Sequence, residues 1–482
     1  MKKAITTLVL TIFAAAAFAQ GASDAVGFSQ TFYQGTAKAL GMGNALGAVG
    51  GDMTATCINP AGMGLYRSSE LAMTLNLSNN HTTSTYYGTE TYGNKLRLSI
   101  PNISYVGTRQ RSNYKAVRYT QFCIGLTRTN DYNTHIDAAG LNPTSSKIDD
   151  YLSQIDGYSV DDLADYFPNT AYPAWQTYLI DVDNDGYYTS PVPQGGIMQR
   201  SVQDFRGRSE AWAFGYSINL KGRLSLGASI GIPHIKRVGT RVLEESMPRN
   251  SETDTGFNSW SFTEYLSTRG RGIQAKIGFV WLANGWLRIG GAVHTPTAYN
   301  MEESWQTETE SEIEWITRES LSLESNYEYR LVTPARYVGS LAFIVGDRGL
   351  VSIDAEYLNY GHAAFSANDY DYSDVNRAIA ATYGPALNVR LGTEWRVRNS
   401  YLRFGAGFYG DPNRSTPASG SVKKASVGIS VPAGQSTTFD FAYELSHGQR
   451  QYTLYDAVTL GIEPVMQRQW RSVAIATMRV RF

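Results

Sequence analysis

The chain has 482 residues, 42% hydrophobic and 18% charged, and its 42 basic and 43 acidic side chains nearly cancel. This balance provides no basic stripe for nucleic acid, and two cysteines, Cys57 and Cys123, are too few for a disulfide framework or a zinc site. The 46 glycines and 32 tyrosines favour a protein rich in β-strands over a helical one.

The first nineteen residues have the pattern of an export signal. Two lysines precede an apolar run from 4 to 16, and the small residues Ala17 and Ala19 lie just before a cleavage point at Gln20. This order is typical of a secretory signal peptide, and the run is too short for a membrane helix. We therefore predict that residues 1–19 are removed and that the mature chain acts outside the cytoplasm.

Residues 20–69 are rich in glycine and show no alternation of apolar and polar side chains. Glycine-rich stretches of this kind turn often and pack closely against their surroundings. Residues 20–69 precede about fourteen predicted strands. A barrel of that many strands has a lumen too wide to be filled by the side chains of its wall. We therefore predict that this segment is an N-terminal hatch that plugs the lumen.

From Glu70 to the C-terminus the dominant period is two. Leu71, Met73, Leu75 and Leu77 alternate with small or polar residues, which predicts strands with one apolar face. Fourteen such segments can be counted, most of them about nine to eleven residues long, the length that a tilted strand needs to cross a bilayer. They begin near Glu70, Lys95, Tyr119, Glu210, Arg223, Gly272, Leu287, Tyr337, Leu350, Leu387, Leu402, Ala425, Phe439 and Trp470.

The connections alternate in length from the third segment onward. Short turns lie at 221–222 and 284–285, whereas 236–271, 297–336 and the longest, about 130–209, are long. Short turns at one rim and long loops at the other are typical of outer-membrane barrels. The sequence thus predicts an all-β fold: a transmembrane antiparallel β-barrel of about 14 strands over 70–482, with long extracellular loops and with the N- and C-termini on the periplasmic side.

The alternation continues to Phe482, the last residue. A soluble protein usually frays at its terminus, so the final strand is expected to be paired. A terminal Phe on such a strand resembles the assembly signal of bacterial barrels. It implies the bacterial outer membrane as the location, with outer-membrane lipid and, during biogenesis, the barrel-assembly machinery as partners.

Short motifs containing glycine or proline lie in order along the chain: Ala39-Leu40-Gly41-Met42-Gly43-Asn44-Ala45, Asn59-Pro60-Ala61-Gly62-Met63, Leu287-Arg288-Ile289-Gly290, Thr295-Pro296, Thr333-Pro334-Ala335-Arg336 and Arg348-Gly349-Leu350-Val351-Ser352. Together they resemble the FadL/TodX family of outer-membrane transporters for long-chain fatty acids and other hydrophobic compounds. The resemblance covers most of the mature chain except the long loops.

The resemblance implies a passive transporter, or diffusion channel, for molecules such as long-chain fatty acids or aromatic hydrocarbons. Ligand would be captured at extracellular loops, held in a lumen pocket and released sideways beside a kinked third strand, where Gly125 could bend. The hatch motif Asn59, Pro60, Ala61 and Gly62 would gate this exit, supported by the hatch glycines Gly41 and Gly43. An alternative is a barrel of the same family that acts as a protein-binding or secretion-associated component.

Catalytic and metal signals are weak. The GxSxG match at 227–231 lies in mid-strand rather than in the strand-turn-helix of a nucleophile elbow, so neither an enzyme nor a cofactor is expected. Asp181, Asp183 and Asp185 resemble the start of a calcium loop, but Val192 stands where a bidentate Glu is needed. An Asx-rich turn is the preferred interpretation, and calcium at this loop stays open.

The aromatic residues of the longest loop and the inward-facing charges can each be interpreted in two ways. Tyr166, Phe167 and Trp175 in the longest loop could form a capture groove for ligand, or pack against the loop itself. Inward-facing charges predict a mixed-charge network that holds the plug, or a cation that pairs with a ligand carboxylate. These charges include Lys276, Asp354, Glu356, Arg390, Arg403 and Asp440.

Overall fold

The computed structural model describes residues 21–111, 116–248, 255–414, 420–455 and 460–482, so the predicted signal peptide lies outside the described residues. Fourteen antiparallel strands form a closed barrel, because the last strand pairs with the first from Glu70↔Arg481 to Thr85↔Met466. The strands are β1 (Glu70–Tyr86), β2 (Thr89–Gln110), β3 (Val117–Asp131), β4 (Ile197–Leu220), β5 (Leu224–Ser246), β6 (Phe257–Leu282), β7 (Leu287–His294), β8 (Arg336–Val345), β9 (Gly349–Asn359), β10 (Pro385–Val397), β11 (Ser400–Tyr409), β12 (Val422–Ala433), β13 (Thr437–Tyr452) and β14 (Val465–Arg481).

The two faces of each strand differ as the alternation predicted. On β1, Leu71 and Leu75 are 46% and 50% exposed, whereas Thr74 and Asn76 are buried. Equivalent leucine, isoleucine, phenylalanine and tyrosine side chains on the other strands form an exposed apolar belt around the barrel. An outward apolar belt with polar residues inside is typical of a transmembrane barrel.

Several strands are longer than predicted. β6 has 26 residues and β4 has 24, although β7 has only 8. The additional residues lie at the end of the barrel that carries the long loops, where the outward side chains are mostly polar and the apolar ones, such as Trp260 and Phe262, are buried. The apolar alternation therefore ends before the backbone pairing does, and parts of the ranges 130–209 and 236–271 are strand rather than loop.

Additional strands and helices cover the long-loop end. Strand Thr134–Asn142 pairs with β4, and Ala298–Ile313 pairs with the upper part of β6. The other short strands and helices there are Asp181–Val182, Tyr188–Thr189, Ile316–Leu321, Ser325–Val332, Ala364–Ser366, Lys147–Ile155, Val160–Asp162, Leu163–Tyr166, Ala171–Gln176, Tyr360–His362 and Ser373–Thr382.

The residues before β1, called here the N-terminal segment (residues 21–69), form helices α1 (Ala22–Ser29), α2 (Ala37–Gly41) and α3 (Met53–Ile58) and a 3-10 turn, Pro60–Leu65. The side chains of Thr36, Asp52 and Asn59 cap the last three of these elements by accepting main-chain N–H bonds. Among the described residues, no helix has the length and apolar character needed to cross a membrane.

Candidate functional site

The N-terminal segment is bonded to strands on well-separated parts of the ring. Gln121 of β3 donates to the Tyr66 carbonyl at 3.2 Å, and Lys276 of β6 donates to the Cys57 carbonyl at 2.9 Å. Asp354 of β9 accepts from the Gly47 amide at 2.9 Å, and the Ala37 amide donates to Thr477 of β14 at 2.8 Å. The segment is therefore held by the inward faces of the barrel wall.

Asn59 of the Asn59–Gly62 motif is fully buried. Its Nδ2 donates to the Gly47 carbonyl at 2.8 Å and to the Phe279 carbonyl of β6 at 2.9 Å, while its Oδ1 accepts from the Ala61 amide at 3.1 Å. One side chain thus joins two turns of the N-terminal segment to the wall. Pro60 begins the following 3-10 turn, where its missing N–H costs nothing.

Three wall and segment side chains bind the carbonyl end of α3. Lys276 and the Tyr33 hydroxyl both donate to the Cys57 carbonyl, at 2.9 and 3.2 Å, and His294 Nε2 lies 2.8 Å from the Ile58 carbonyl. The last carbonyls of a helix lack intrahelical partners and carry partial negative charge, so a cation there is favourable. This arrangement fixes the turn that presents Asn59.

Gly41 and Gly43, the glycines that the sequence analysis assigns to the hatch, lie where the N-terminal segment approaches strands β10 to β12. A Cβ on Gly41 would lie 3.1 Å from the Cα of Gly428 on β12. Gly43 has a φ of +59°, and its Cβ would lie 2.9 Å from main-chain atoms of Ala406 and Leu391. Position 43 therefore requires glycine, both for its backbone conformation and for its close contact, while a side chain at 41 would press against β12.

Buried ion pairs join neighbouring strands below and beside the segment. Asp440 accepts from Arg403 at 3.0 Å and from Arg479 at 2.9 Å, and Glu356 lies 3.1 Å from Arg336. A second Arg336 nitrogen donates to the Ser29 carbonyl at the end of α1. The predicted mixed-charge network is thus present, and part of it contacts the N-terminal segment.

The third strand is irregular at its upper end. β3 pairs with β2 only from Asn102↔Thr127 to Gln110↔Tyr119, and its pairing with β4 shifts between Arg128 and Asn130. On the edge that β2 leaves, the Phe32 amide donates to the Thr129 carbonyl at 2.7 Å and the Gln34 amide to the Arg128 carbonyl at 3.0 Å. The irregularity is not at Gly125, whose inward face packs on Met53 and Ser104.

Two adjoining cavities, of about 650 and 320 Å³, lie between the N-terminal segment and the long loops. Gln30, Phe32, Arg241 and Arg450 line both, and Tyr151, Phe262 and Trp305 add aromatic surface to the larger one. Arg241 lies 3.9 Å from Glu264. No carboxylate of the described ranges forms an ion pair with Arg450, whose Nε donates to the Gln467 side chain.

Electrostatics make the upper cavity favourable for an anion. The guanidinium groups of Arg237, Arg241 and Arg450 all line the smaller cavity. Arg450 is not among the site residues predicted from the sequence. The sequence feature that could have identified Arg450 is its spacing, because it lies on the same face of β13 as the buried Glu444 and Ser446.

A third apolar cavity, of about 900 Å³, lies on the outside of the wall, opposite the Asn59–Gly62 motif. Its floor includes Gly227 and Gly278, and a Cβ on these residues would reach the Pro60 carbonyl oxygen at 2.5 Å and Asn59 Oδ1 at 2.2 Å. The outward-facing Gly339 also lines the cavity and has no atom within 4 Å of a Cβ position. The wall here is only one backbone thick.

The three aromatic residues proposed for ligand capture have different surroundings. Tyr166 is 64% exposed, whereas Phe167 is buried in the loop core with its ring 5.1 Å from that of Tyr158. Trp175 is half-buried and stacks on Tyr172 at 6.1 Å. Phe167 and Trp175 thus serve packing within the loop, and Tyr166 alone presents its ring to solvent.

The calcium-like loop has the hydrogen bonds of a turn. Asp183 Oδ1 accepts from the amides of Asp185 and Tyr187 at 3.0 and 2.9 Å, and Asp181 accepts from its neighbour Val182 at 2.8 Å. Within the described ranges, no group of three or more His, Cys, Asp or Glu residues is arranged to hold a metal ion.

Phe482 takes part in closing the barrel. Its amide and carbonyl exchange bonds with Ser69, both at 3.1 Å, and its ring stacks on Tyr105 at 6.2 Å. Cys57 and Cys123 are both buried free thiols, so they do not form a disulfide in this conformation.

The chain matches no known family model and no curated protein. Solved structures do match. TodX, a toluene transporter of Pseudomonas putida, is 13% identical in sequence and superposes with a TM-score of 0.55. The match covers 92% of this chain and 98% of the TodX chain. A FadL homologue of Pseudomonas aeruginosa is 11% identical, with a TM-score of 0.56, and the match covers 94% of this chain and 99% of that one. The toluene transporter TbuX of Ralstonia pickettii is 14% identical, with a TM-score of 0.52 and the same two coverages. The chain therefore has the fold of the FadL/TodX outer-membrane channels, which confirms at the level of the fold the resemblance carried by its motifs.

Proposed function

We propose that the chain is an outer-membrane passive transporter for hydrophobic small molecules. The observation that carries the proposal is the pair of cavities above the N-terminal segment, which have aromatic walls and one cation without a carboxylate partner among the described residues. Apolar burial contributes about 0.8 kcal/mol per CH₂ group, so such a pocket can extract a long hydrocarbon from water. The related fold of hydrocarbon channels supports the same function.

Arg450 favours an amphipathic acid as the ligand over a neutral hydrocarbon. A guanidinium binds a carboxylate through charge-assisted hydrogen bonds, while Phe262, Trp305 and Tyr151 contact the chain. Long-chain fatty acids have this combination of groups. Capture at the long loops would precede this step, with the exposed ring of Tyr166 as the accessible member of the proposed capture set.

Release is proposed to occur sideways, beside the third strand. The supporting observations are the end of the β2–β3 ladder at Asn102↔Thr127 and the exposed Leu98 and Ile100 on β2 next to it. A ligand that leaves there enters hydrocarbon and does not return to water. The N-terminal segment is proposed to be the hatch that gates this step, with the termini and short turns in the periplasm and residues 1–19 as the signal peptide.

Binding and transport can be tested separately. Fluorescence titration of the purified barrel with oleate and with methyl oleate measures binding. We expect Arg450→Gln to weaken oleate binding at least tenfold and leave methyl oleate unchanged, with the exposed Arg206→Gln as the control. Deletion of Asn59–Gly62 should abolish oleate uptake by cells while the barrel still assembles. Absence of oleate and hydrocarbon binding to the wild-type barrel would contradict the proposal.

A second candidate, a protein-binding barrel, is favoured by the apolar tip of the hairpin at 298–321. Trp315 and Ile316 are 82% and 51% exposed, and Leu323 just beyond is 89% exposed. Large exposed apolar groups at a loop tip are typical of interaction sites. Co-purification of a stoichiometric protein that is lost in Trp315→Ser would support this candidate, and an unchanged partner would oppose it.

A further inference from the structure

Four cations lie close together on the outer surface of the barrel, just above the apolar belt. They are Arg208 of β4, Lys236 of β5, and Arg269 and Arg271 of β6, called here the outer basic patch. Arg208 is directly opposite Lys236 in the strand register, and Lys236 is directly opposite Arg269. Like charges at directly opposite positions destabilise a sheet, because their Cβ atoms are only about 4.5–5.5 Å apart. The sheet therefore holds this charge at a cost that a bound anion would offset.

Few carboxylates neutralise the outer basic patch. Arg208 pairs with Glu210 at 2.8 Å, but Glu210 is shared with the buried Arg128, which lies 2.9 Å away. The exposed Glu302 is opposite Arg269 in the register. Within the described ranges, no carboxylate oxygen lies at ion-pair distance from the other three side chains of the patch. These three cations are exposed, so the patch presents them to whatever surrounds the barrel.

The outer basic patch lies at the height of lipid headgroups. The first large apolar side chains below it on the same strands are Trp212, Ile232 and Ile273, which are 40%, 38% and 60% exposed. Tryptophan is enriched where the hydrocarbon of a bilayer meets its headgroups. Cations immediately beyond that boundary attract the phosphates of lipids. With the long loops outside the cell, as proposed above, the patch lies in the outer leaflet.

The apolar cavity on the outside of the wall, called here the outer cavity, lies deeper in the belt and includes residues of the same three strands. It follows one row of directly opposite residues from Tyr216 of β4 to Leu387 of β10. Part of its floor consists of the small outward residues Gly291, Gly339 and Ala355, which are also directly opposite one another. The outer cavity is therefore a groove in the surface that faces the bilayer.

The distance between the patch and the outer cavity suits an acyl chain. Arg271 and Ile277, which lines the outer cavity, are six residues apart on β6. Six residues of strand span about 20 Å, which at a tilt of about 40° corresponds to about 15 Å of depth. This is half of the hydrocarbon thickness of about 30 Å. The outer cavity thus lies at the depth that the acyl chains of one leaflet reach.

We propose that the outer basic patch binds the phosphate groups of an outer-leaflet lipid and that an acyl chain of this lipid occupies the outer cavity. The number of cations favours a headgroup with more than one phosphate, since the single phosphate of a zwitterionic lipid is already neutralised by its own ammonium. Arginine and lysine bind such phosphates through charge-assisted hydrogen bonds. The site faces the bilayer and not the lumen, so it goes beyond transport and rests only on the outer-membrane orientation proposed above.

Native mass spectrometry of the purified barrel in a non-ionic detergent tests the patch. We expect bisphosphorylated lipid A to bind at least tenfold more tightly than phosphatidylcholine, with monophosphorylated lipid A between them. Arg269→Gln with Arg271→Gln should weaken lipid A binding at least tenfold. Its melting temperature without lipid should not fall, because the substitutions relieve repulsion. The matched control is Lys423→Gln with Arg468→Gln, which removes two exposed cations from β12 and β14 and should leave lipid A binding unchanged.

Filling the outer cavity tests the place of the acyl chain. Gly339→Leu extends into open space, since no atom lies within 4 Å of a Cβ there. It should weaken lipid A binding at least threefold and leave the binding of inorganic pyrophosphate unchanged.

Equal affinity of the wild type and the patch variant for lipid A, or equal affinity of the wild type for lipid A and phosphatidylcholine, would overturn the proposal. Pyrophosphate binding as tight as that of lipid A would show a site for soluble anions and overturn the lipid as ligand. Unaltered lipid A binding by Gly339→Leu would overturn the assignment of the outer cavity to an acyl chain. A dimer that is lost in Gly339→Leu would assign the outer cavity to a second copy of the chain instead.

Discussion

Replacement of Asn59 by alanine tests how the N-terminal segment is held. The side chain makes three hydrogen bonds, two as donor to the carbonyls of Gly47 and Phe279 and one as acceptor from Ala61. Each such bond contributes about 1 kcal/mol net. Asn59→Ala should therefore destabilise the local structure by about 3 kcal/mol, which corresponds to roughly a hundredfold increase in local opening.

Hydrogen exchange of peptides covering 47–62 measures this opening directly. Exchange there should accelerate by about two orders of magnitude, while peptides from β12 to β14 keep their protection. The control is Asn142→Ala, which removes a buried amide bonded to Gln199 and Tyr455 in the loops. Acceleration of less than threefold in the segment would refute the role assigned to Asn59.

Three further predictions concern the wall and the loops. Gly278→Ala places a Cβ 2.2 Å from Asn59 Oδ1 and should lower the free energy of unfolding in guanidinium by about 1–3 kcal/mol. Gly339→Ala has open space around the new Cβ and should be neutral or stabilise by about 0.5 kcal/mol. Equal effects of the two substitutions would contradict the packing argument. Asp440→Asn removes the carboxylate that Arg403 and Arg479 share, while Glu394 still pairs with Arg403 and Glu70 with Arg479. It should cost about 1.5–3 kcal/mol in the same assay. Burial raises the pKa of Asp204, but the hydrogen bonds and charges of Lys95 and His135 outweigh the effect of burial and hold this pKa below its usual value. The ion pairs of Asp204 therefore stabilise the fold above about pH 4. This stabilisation is lost as the pH falls through the folded-state pKa of Asp204. Asp204→Asn should lower the melting temperature at pH 7, and the difference should shrink as the pH falls below about 4. A constant difference would exclude the ion pairs as the cause.

The strands of the belt could be predicted from sequence because their outward side chains meet one uniform solvent. Hydrocarbon selects apolar groups at every second position, so Leu71 to Leu77 identify β1 without any knowledge of its partners. Above the belt the outer face of a strand meets water, and apolar side chains such as Phe257, Trp260 and Phe262 pack instead against the loop helices. The regular alternation is therefore lost. For that reason the upper half of β6, from Phe257 to Arg271, was interpreted as loop although its backbone is paired throughout.

The contact of residues 30–34 with β3 could not be predicted in the same way. Its bonds run between main-chain groups, which every residue carries, so the letters at 30–34 give no sign of them. Gln34 is a buried polar residue in a segment without alternation, and neither its burial nor its partner follows from local pattern. Arg450 is an intermediate case, because the inward phase of β13 reaches it once the strand is known to continue beyond Leu445.

Glycine on the inward phase of the strands is a second sequence signal, independent of the alternation. A Cβ on Gly227 or Gly278 would meet the Asn59–Ala61 turn, and one on Gly405 would lie 2.0 Å from the Gly43 amide. Inward positions of a water-filled barrel have no reason to lack a side chain, since glycine weakens a strand. Inward glycines on separated strands therefore mark where another backbone touches the wall. Gly339 faces outward, meets no such neighbour and is expected to tolerate a side chain, so the two kinds of glycine make the argument testable within one chain.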